Sequence, residues 1–231
     1  MQGETSLTSD SLSNGLLFAI HPELNDLATV IENSDVHDHQ SVLAHTKKTH
    51  TELNRIVGGE SWLPSENQPA LRRLLAMQIG SLSRNGLLFI ATDLHDIGKL
   101  DVPGATSGDE ATSNIGHEQY GLETVGRICD SLRLNTAQSD RVAAIIQHHQ
   151  DIHTTLANCL AGADETEEFN QLKAKGDAAG GIYLELLLLG LADIRGSDLA
   201  RLHPDRFQRQ EALIQKHISG YLDNTREPST G

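Results

Sequence analysis

Aromatic residues make up only 3% of this 231-residue chain, with a single Trp, so any core must be built from aliphatic side chains. There are two cysteines, Cys129 and Cys159, and no C-x-x-C spacing. That excludes a disulfide framework and a zinc ribbon, and suits reduced thiols in a cytoplasmic protein. Positive charge is scarce: 18 Lys and Arg face 32 Asp and Glu, a formal net charge of -14. Such a surface repels a long polyanion, which argues against duplex nucleic acid as a partner. No basic-then-apolar segment opens the chain, and no run is long enough to span a membrane. The most apolar stretch, 182–192, is short and contains Glu185. A membrane partner is therefore not expected.

What the chain does have is helical periodicity and histidine. Few strings of alternating β-branched residues occur, so the fold class expected is all-α, as one helical bundle without a sheet. Helices are expected over 39–57, 68–84, 87–96, 117–132, 136–149, 181–195 and 205–221, the last preceded by Pro204. The segment 87–96 is apolar nearly all round and so belongs at the centre. Residues 101–115, with Pro103 and many small polar residues, read as a loop that could cover a site. Polar segments 1–18 and 223–231 read as flexible tails around one domain over 19–222. Oligomeric state is not legible.

Twelve histidines are many for this length. The most informative lies in Asp93-Leu94-His95-Asp96-Ile97-Gly98-Lys99, directly after the apolar run 87–91. An adjacent imidazole and carboxylate can grip one divalent cation with a nitrogen and an oxygen. Lys99 adds a positive charge beside them where a phosphate could bind. Taken alone, the pair is equally an Asp capping a turn and a His packed on a helix end. Asp193 ends a run of leucines, and its own helical face holds Leu186 and Leu189. A carboxylate there must be paired, protonated or bound to a cation. Arg195, two residues on, points to another side of the helix and is a poor partner. His149 continues the stripe Val142, Ile145, Ile146, while His148 is turned about 100° away. His117 opens a helix in Gly-His-Glu-Gln-Tyr-Gly, where it could merely cap. His39 opens another, with His37 competing for the same role. His21, His45, His50, His153, His203 and His217 have no such context and read as surface or partly buried residues without a role.

In chain order the set His39, His95-Asp96, His117, His149 and Asp193 resembles the HD-domain superfamily of metal-dependent phosphohydrolases, whose pattern is His…His-Asp…Asp. The likeness runs over roughly 20–222 and is strongest to the HD domain of bacterial CCA-adding tRNA nucleotidyltransferases. It is carried by His21-Pro22-Glu23-Leu24, Asp35-Val36-x-x-His39, Leu94 to Lys99, Gly116-His117-Glu118-x-x-Gly121, Ile145-Ile146-x-x-His149 and Ala192-Asp193. The resemblance implies that His39, His95, Asp96 and Asp193 hold a core metal, with Asp96 able to bridge to a second. It implies that His117 and His149 serve that second metal or act as acid–base groups, and that Lys99 contacts a substrate phosphate. The Asp-Val-x-x-His spacing selects His39 over His37. A CCA-adding enzyme also carries a nucleotidyltransferase domain and a basic tRNA-binding body, for which 231 residues of this charge leave no room, so nucleotide addition is not implied. The stretch 95–103 and the doublet His148-His149 are also similar to HD-GYP cyclic-di-GMP phosphodiesterases, but Gln150-Asp151-Ile152 follows where Gly-Tyr-Pro would stand; in that family His148 would bind metal too.

The expected chemistry is hydrolysis of a phosphate mono- or diester, of a nucleotide or related small phosphorylated molecule, with one or two divalent metals, Asp96 and Lys99 being catalytic. Mixed His and carboxylate ligation suits Mn, Fe, Co, Ni or Zn better than Mg. An HD-type di-iron oxygenase uses the same ligand types, and a non-enzymatic metal-binding module is the third alternative.

Overall fold

The computed structural model describes residues 7–59, 62–102 and 116–225. The expected lid over 101–115 falls almost entirely outside them. Twelve α-helices occur among the described residues: α1 Ser9–Ser13, α2 Leu16–Ile20, α3 Val42–Gly58, α4 Gln68–Ala76, α5 Arg84–Leu94, α6 His117–Tyr120, α7 Leu122–Ser131, α8 Thr136–Leu160, α9 Glu165–Ala178, α10 Tyr183–Gly196, α11 Leu199–Leu202 and α12 Pro204–Asn224. Two 3₁₀ segments, Pro22–Thr29 and Ile97–Leu100, join them. Strand structure among the described residues is two antiparallel pairs of two-residue strands, Ile31–Glu32 with Gln40–Ser41 and Gln78–Ile79 with Leu82–Ser83. The all-α expectation therefore holds.

Two helices form the centre because their sequences offer no polar face. Every residue of α5 except Asn85 is buried, and so is every residue of α10 except Arg195. Helix α10 lies against α3, α8 and α12, while α5 lies against α1, α3 and α8. Each fully buried Leu or Ile at these contacts contributes about 1.5–3 kcal/mol of transfer free energy.

Several expected boundaries are corrected. Residues up to 18 were expected to form a tail, yet Leu12 and Leu17 are fully buried and Ser9 Oγ lies 2.6 Å from Ser83 Oγ. Two leucines spaced through a polar segment are enough to pin it. The helix expected over 68–84 stops at Ala76, because residues 78–83 turn back on themselves as a hairpin before Ser83 caps α5. Helix α8 runs on to Leu160, eleven residues past His149, since Ile152, Thr155 and Leu156 carry the buried stripe forward. Helix α9 was not foreseen: its first turn is acidic, and only Phe169, Leu172 and Gly176 are buried. Residues 226–231 of the expected C-terminal tail lie outside the described residues.

Glu185, the charge inside the leucine run, is fully buried and answered in place. Arg84 donates to both its oxygens, Nε to Oε1 at 2.8 Å and an η nitrogen to Oε2 at 2.6 Å. Arg141 donates to Oε1 as well, its Nε at 3.1 Å. This fork ties α5 and α8 to the start of α10. Removing one partner of a buried, hydrogen-bonded pair leaves an uncompensated charge, so Arg84→Ala is expected to destabilise the fold by about 3 kcal/mol in denaturant titration. An unchanged midpoint would show that Arg141 alone satisfies Glu185.

Candidate metal centre

Helix α5 ends at Leu94, and His95 follows as its C-terminal cap with Asp96 leading into the 3₁₀ turn Ile97–Leu100. The turn can fold this tightly because residue 98 is glycine. A Cβ there would sit 2.0 Å from the His117 carbonyl oxygen and 2.5 Å from the Gly121 nitrogen. The close approach brings α6, and with it His117, beside Asp96.

Asp96 is buried, and its two oxygens face different imidazoles. Oδ2 lies 3.3 Å from His95 Nε2 and 3.8 Å from His45 Nε2. Oδ1 lies 3.1 Å from His117 Nε2 and 3.9 Å from His149 Nε2. His117 and His149 meet Nε2 to Nε2 at 3.1 Å. Asp193 joins the first half, its Oδ1 2.7 Å from His45 Nε2. Among the described residues, two buried three-residue groups, neither containing Asp193, have the compactness a cation needs: His45, His95 and Asp96, and Asp96, His117 and His149. The carboxylate of Asp96 is common to both.

The imidazoles are oriented from behind. The His95 Nδ1–H donates to the Thr92 carbonyl at 2.7 Å, and the His149 Nδ1–H donates to the Ile146 carbonyl at 2.5 Å. A backbone bond at Nδ1 fixes the ring and turns Nε2 inward, as metal-binding imidazoles require. His95 Nε2 is buried and has no hydrogen-bond partner among the described residues. A buried ring nitrogen left so is costly whether it bears a proton or an electron pair, and a cation that takes the proton's place removes that cost. The donor set therefore fits a divalent cation.

Electrostatics follow from the same crowding. Burial opposes charge on His95, but the adjacent Asp96 carboxylate outweighs it and raises the ring to about 9. Burial, then the nearby rings of His95 and His117, push His149 down to about 3. Burial works against the Asp96 charge, yet His95 and Lys99 hold it well below the usual carboxylate range. Asp193 is likewise held well down by His45 and His153 against burial. Lys99 is not turned to solvent. Its ammonium donates to Asp96 Oδ2 and to Glu32 Oε1, both at 2.8 Å, and these two carboxylates keep it protonated despite burial.

The structure gathers His95, Asp96, Lys99, His117, His149 and Asp193, but not His39. His39 is on the surface, its side chain 71% exposed, its φ at 55°, its ring beside Asp38. The physical reason is that the chain pairs as a strand through Ser41, so α3 starts three residues later than expected, with Ser41 capping it. The place expected for His39 is taken by His45, dismissed from the sequence as a residue without a role. Its face was readable: Val42, His45, Thr46, Thr49, Leu53 and Ile56 make one buried stripe at helical spacing. His37, the competing candidate, is buried beside His45 with ring centroids 4.7 Å apart. Its Nδ1 is 2.9 Å from Gln40 Oε1, outside both three-residue groups. His148 also stays outside, paired with Asp151 at 2.8 Å. Arg195 is bonded to Glu211 at 2.7 Å.

The family model described as HD domain matches residues 70–195. Among curated proteins the chain is similar to the "Multifunctional CCA protein" of Vibrio cholerae serotype O1 (strain M66-2), 27% identical over 128 residues, which cover 54% of this chain and 29% of that protein. It is also similar to the protein of that description from Nitrosomonas eutropha, 36% identical over 77 residues, covering 30% of this chain and 18% of the relative. The matches thus span less than a third of these relatives' own length.

Two outcomes are expected in calorimetric titrations with Mn(II) or Co(II). His45→Ala loses cation binding at the first group, whereas His39→Ala binds as the unaltered chain does; equal loss in both would return His39 to the site. Because a cation at His95 Nε2 must displace the proton held there, binding releases a proton and strengthens as pH rises toward about 9, by up to about tenfold per unit. His149 adds no such dependence at neutral pH. Heats that are identical in buffers of different ionisation enthalpy would contradict the displaced proton.

Proposed function

Since the chain belongs to the HD-domain family, we propose that it is a metal-dependent phosphohydrolase acting on a phosphate mono- or diester of a nucleotide or related small molecule. The observation that carries this reading is the division of Asp96 between two imidazole pairs, which makes one carboxylate the common wall of two cation-sized groups. His45, His95, Asp96 and Asp193 would hold one cation, and Asp96, His117 and His149 a second. A bound divalent cation supplies Lewis acidity toward phosphoryl oxygens and acidifies water at the site.

The chain's own residues supply the rest. Lys99 holds a permanent positive charge 2.8 Å from Asp96, where it can balance charge that develops on a phosphate in the transition state. Glu32 takes the second bond of that ammonium and keeps it against the cluster. His149, held neutral by its surroundings, is suited to donate an electron pair rather than a proton. Burial of the whole group excludes bulk water and strengthens every one of these interactions. The net charge of -14 favours a small phosphorylated substrate over a nucleic-acid chain.

The test is phosphate release from a panel of nucleotides, cyclic nucleotides and sugar phosphates, with the protein supplied with Mn, Co, Ni or Zn. Turnover is expected to vanish on chelation and return with metal. His95→Ala and Asp96→Ala should each lose more than the about 10–100-fold typical of groups that only support a ligand. Full retention of metal and turnover in both variants would overturn the assignment.

A further inference from the structure

His153 has no context in the sequence that marks it, yet the fold sets it against the metal centre. Helix α8 crosses α10 where α10 has Gly190, and a Cβ at that position would lie 2.8 Å from both Cγ atoms of Ile152. The crossing therefore seats the Ile152 side chain against a position where only glycine leaves room. It places His153, the next residue of α8, against Asp193, which lies one turn beyond Gly190. His153 Nε2 is 2.6 Å from Asp193 Oδ2. An ionised carboxylate has no proton to give, so the imidazole N–H is the donor.

The two oxygens of Asp193 are thus held separately, Oδ2 by His153 and Oδ1 facing His45 Nε2 at 2.7 Å. This matters because the torsion that orients an aspartate carboxylate is broad and sets no angle by itself. Asp96 has Lys99 to fix it. Arg195, on the same helix as Asp193, is bonded to Glu211. His153 is also the open edge of the cluster, its side chain 28% exposed where His45 is 2% exposed.

We propose that His153 is a positioning residue, which locks the Asp193 carboxylate so that Oδ1 is presented with His45, His95 and Asp96 to a divalent cation. Asp193 and His153 both lie outside the two three-residue groups, and His153 reaches them only through Asp193. The proposal rests on the reading of that cluster as a metal centre.

The experiment is a titration of the metal-free full chain with Co(II), read as a dissociation constant and as the d–d absorption spectrum, with circular dichroism to confirm folding. His153→Ala is expected to bind Co(II) about 10–100-fold more weakly and with an altered spectrum. His153→Gln, which keeps an N–H donor, is expected to recover most of the affinity and the original spectrum. Unchanged affinity and spectrum in His153→Ala overturn the positioning role while leaving the metal centre standing. Equal loss in the Ala and Gln variants overturns it too, because the hydrogen bond would then not be the cause. Failure of the unaltered chain to bind Co(II) would instead overturn the reading of the cluster, and this proposal with it.

Discussion

The constraint on which this structure depends is the confinement of four imidazoles around one buried carboxylate. His45, His95, His117 and His149 all turn a ring nitrogen toward Asp96, within a space that bulk water barely reaches. Left to themselves such groups repel or remain unsatisfied, and burial makes either outcome expensive. The fold holds them there through what lies behind. Backbone carbonyls orient His95 and His149, a lysine is buried against Asp96, and two helices without a polar face supply the rigid walls. The apolar centre is large because the polar centre needs a frame that does not yield.

Much of this was legible in the sequence, for a specific reason. His95, Asp96, His149 and Asp193 all stand at the end of, or within, an apolar helical stripe, and a ligand-type residue on such a stripe must face inward. The same argument would have found His45, since the face of Val42, Thr49, Leu53 and Ile56 lies within the helix expected over 39–57. The short strand pairing of Ile31–Glu32 with Gln40–Ser41, by contrast, leaves almost no periodic trace. Spacing alone then favoured His39, which the hairpin carries to the surface in a left-handed turn. His153 was missed for a different reason: its partner is on another helix, and a contact between α8 and α10 has no signature along either one. Lys99 was read as a contact to a substrate phosphate; its ammonium lies beside Asp96, and its bond to Glu32, which joins the hairpin to the 3₁₀ turn, could not be read from either segment.

The family match begins at Ala70, so it contains His95, Asp96, His117, His149 and Asp193 but neither His39 nor His45. The choice between those two rests on the geometry of α3 against α10. Helix α3 thus contributes to the site a residue from a region that the family comparison does not reach, and its docking is set by packing along one face rather than by a motif.

The two halves of the centre differ in how far along the chain their residues must be gathered. Asp96, His117 and His149 come from elements that follow one another. His45 and Asp193 come from near opposite ends of the described chain, so their meeting closes a loop through most of it. Contacts of high sequence separation form late in folding, after the entropy of loop closure has been met. Any ion held by His45 and Asp193 is in that sense a crosslink across the topology, favouring the completed fold by mass action over every state in which α3 has yet to dock. Its capture then reports that the molecule is whole.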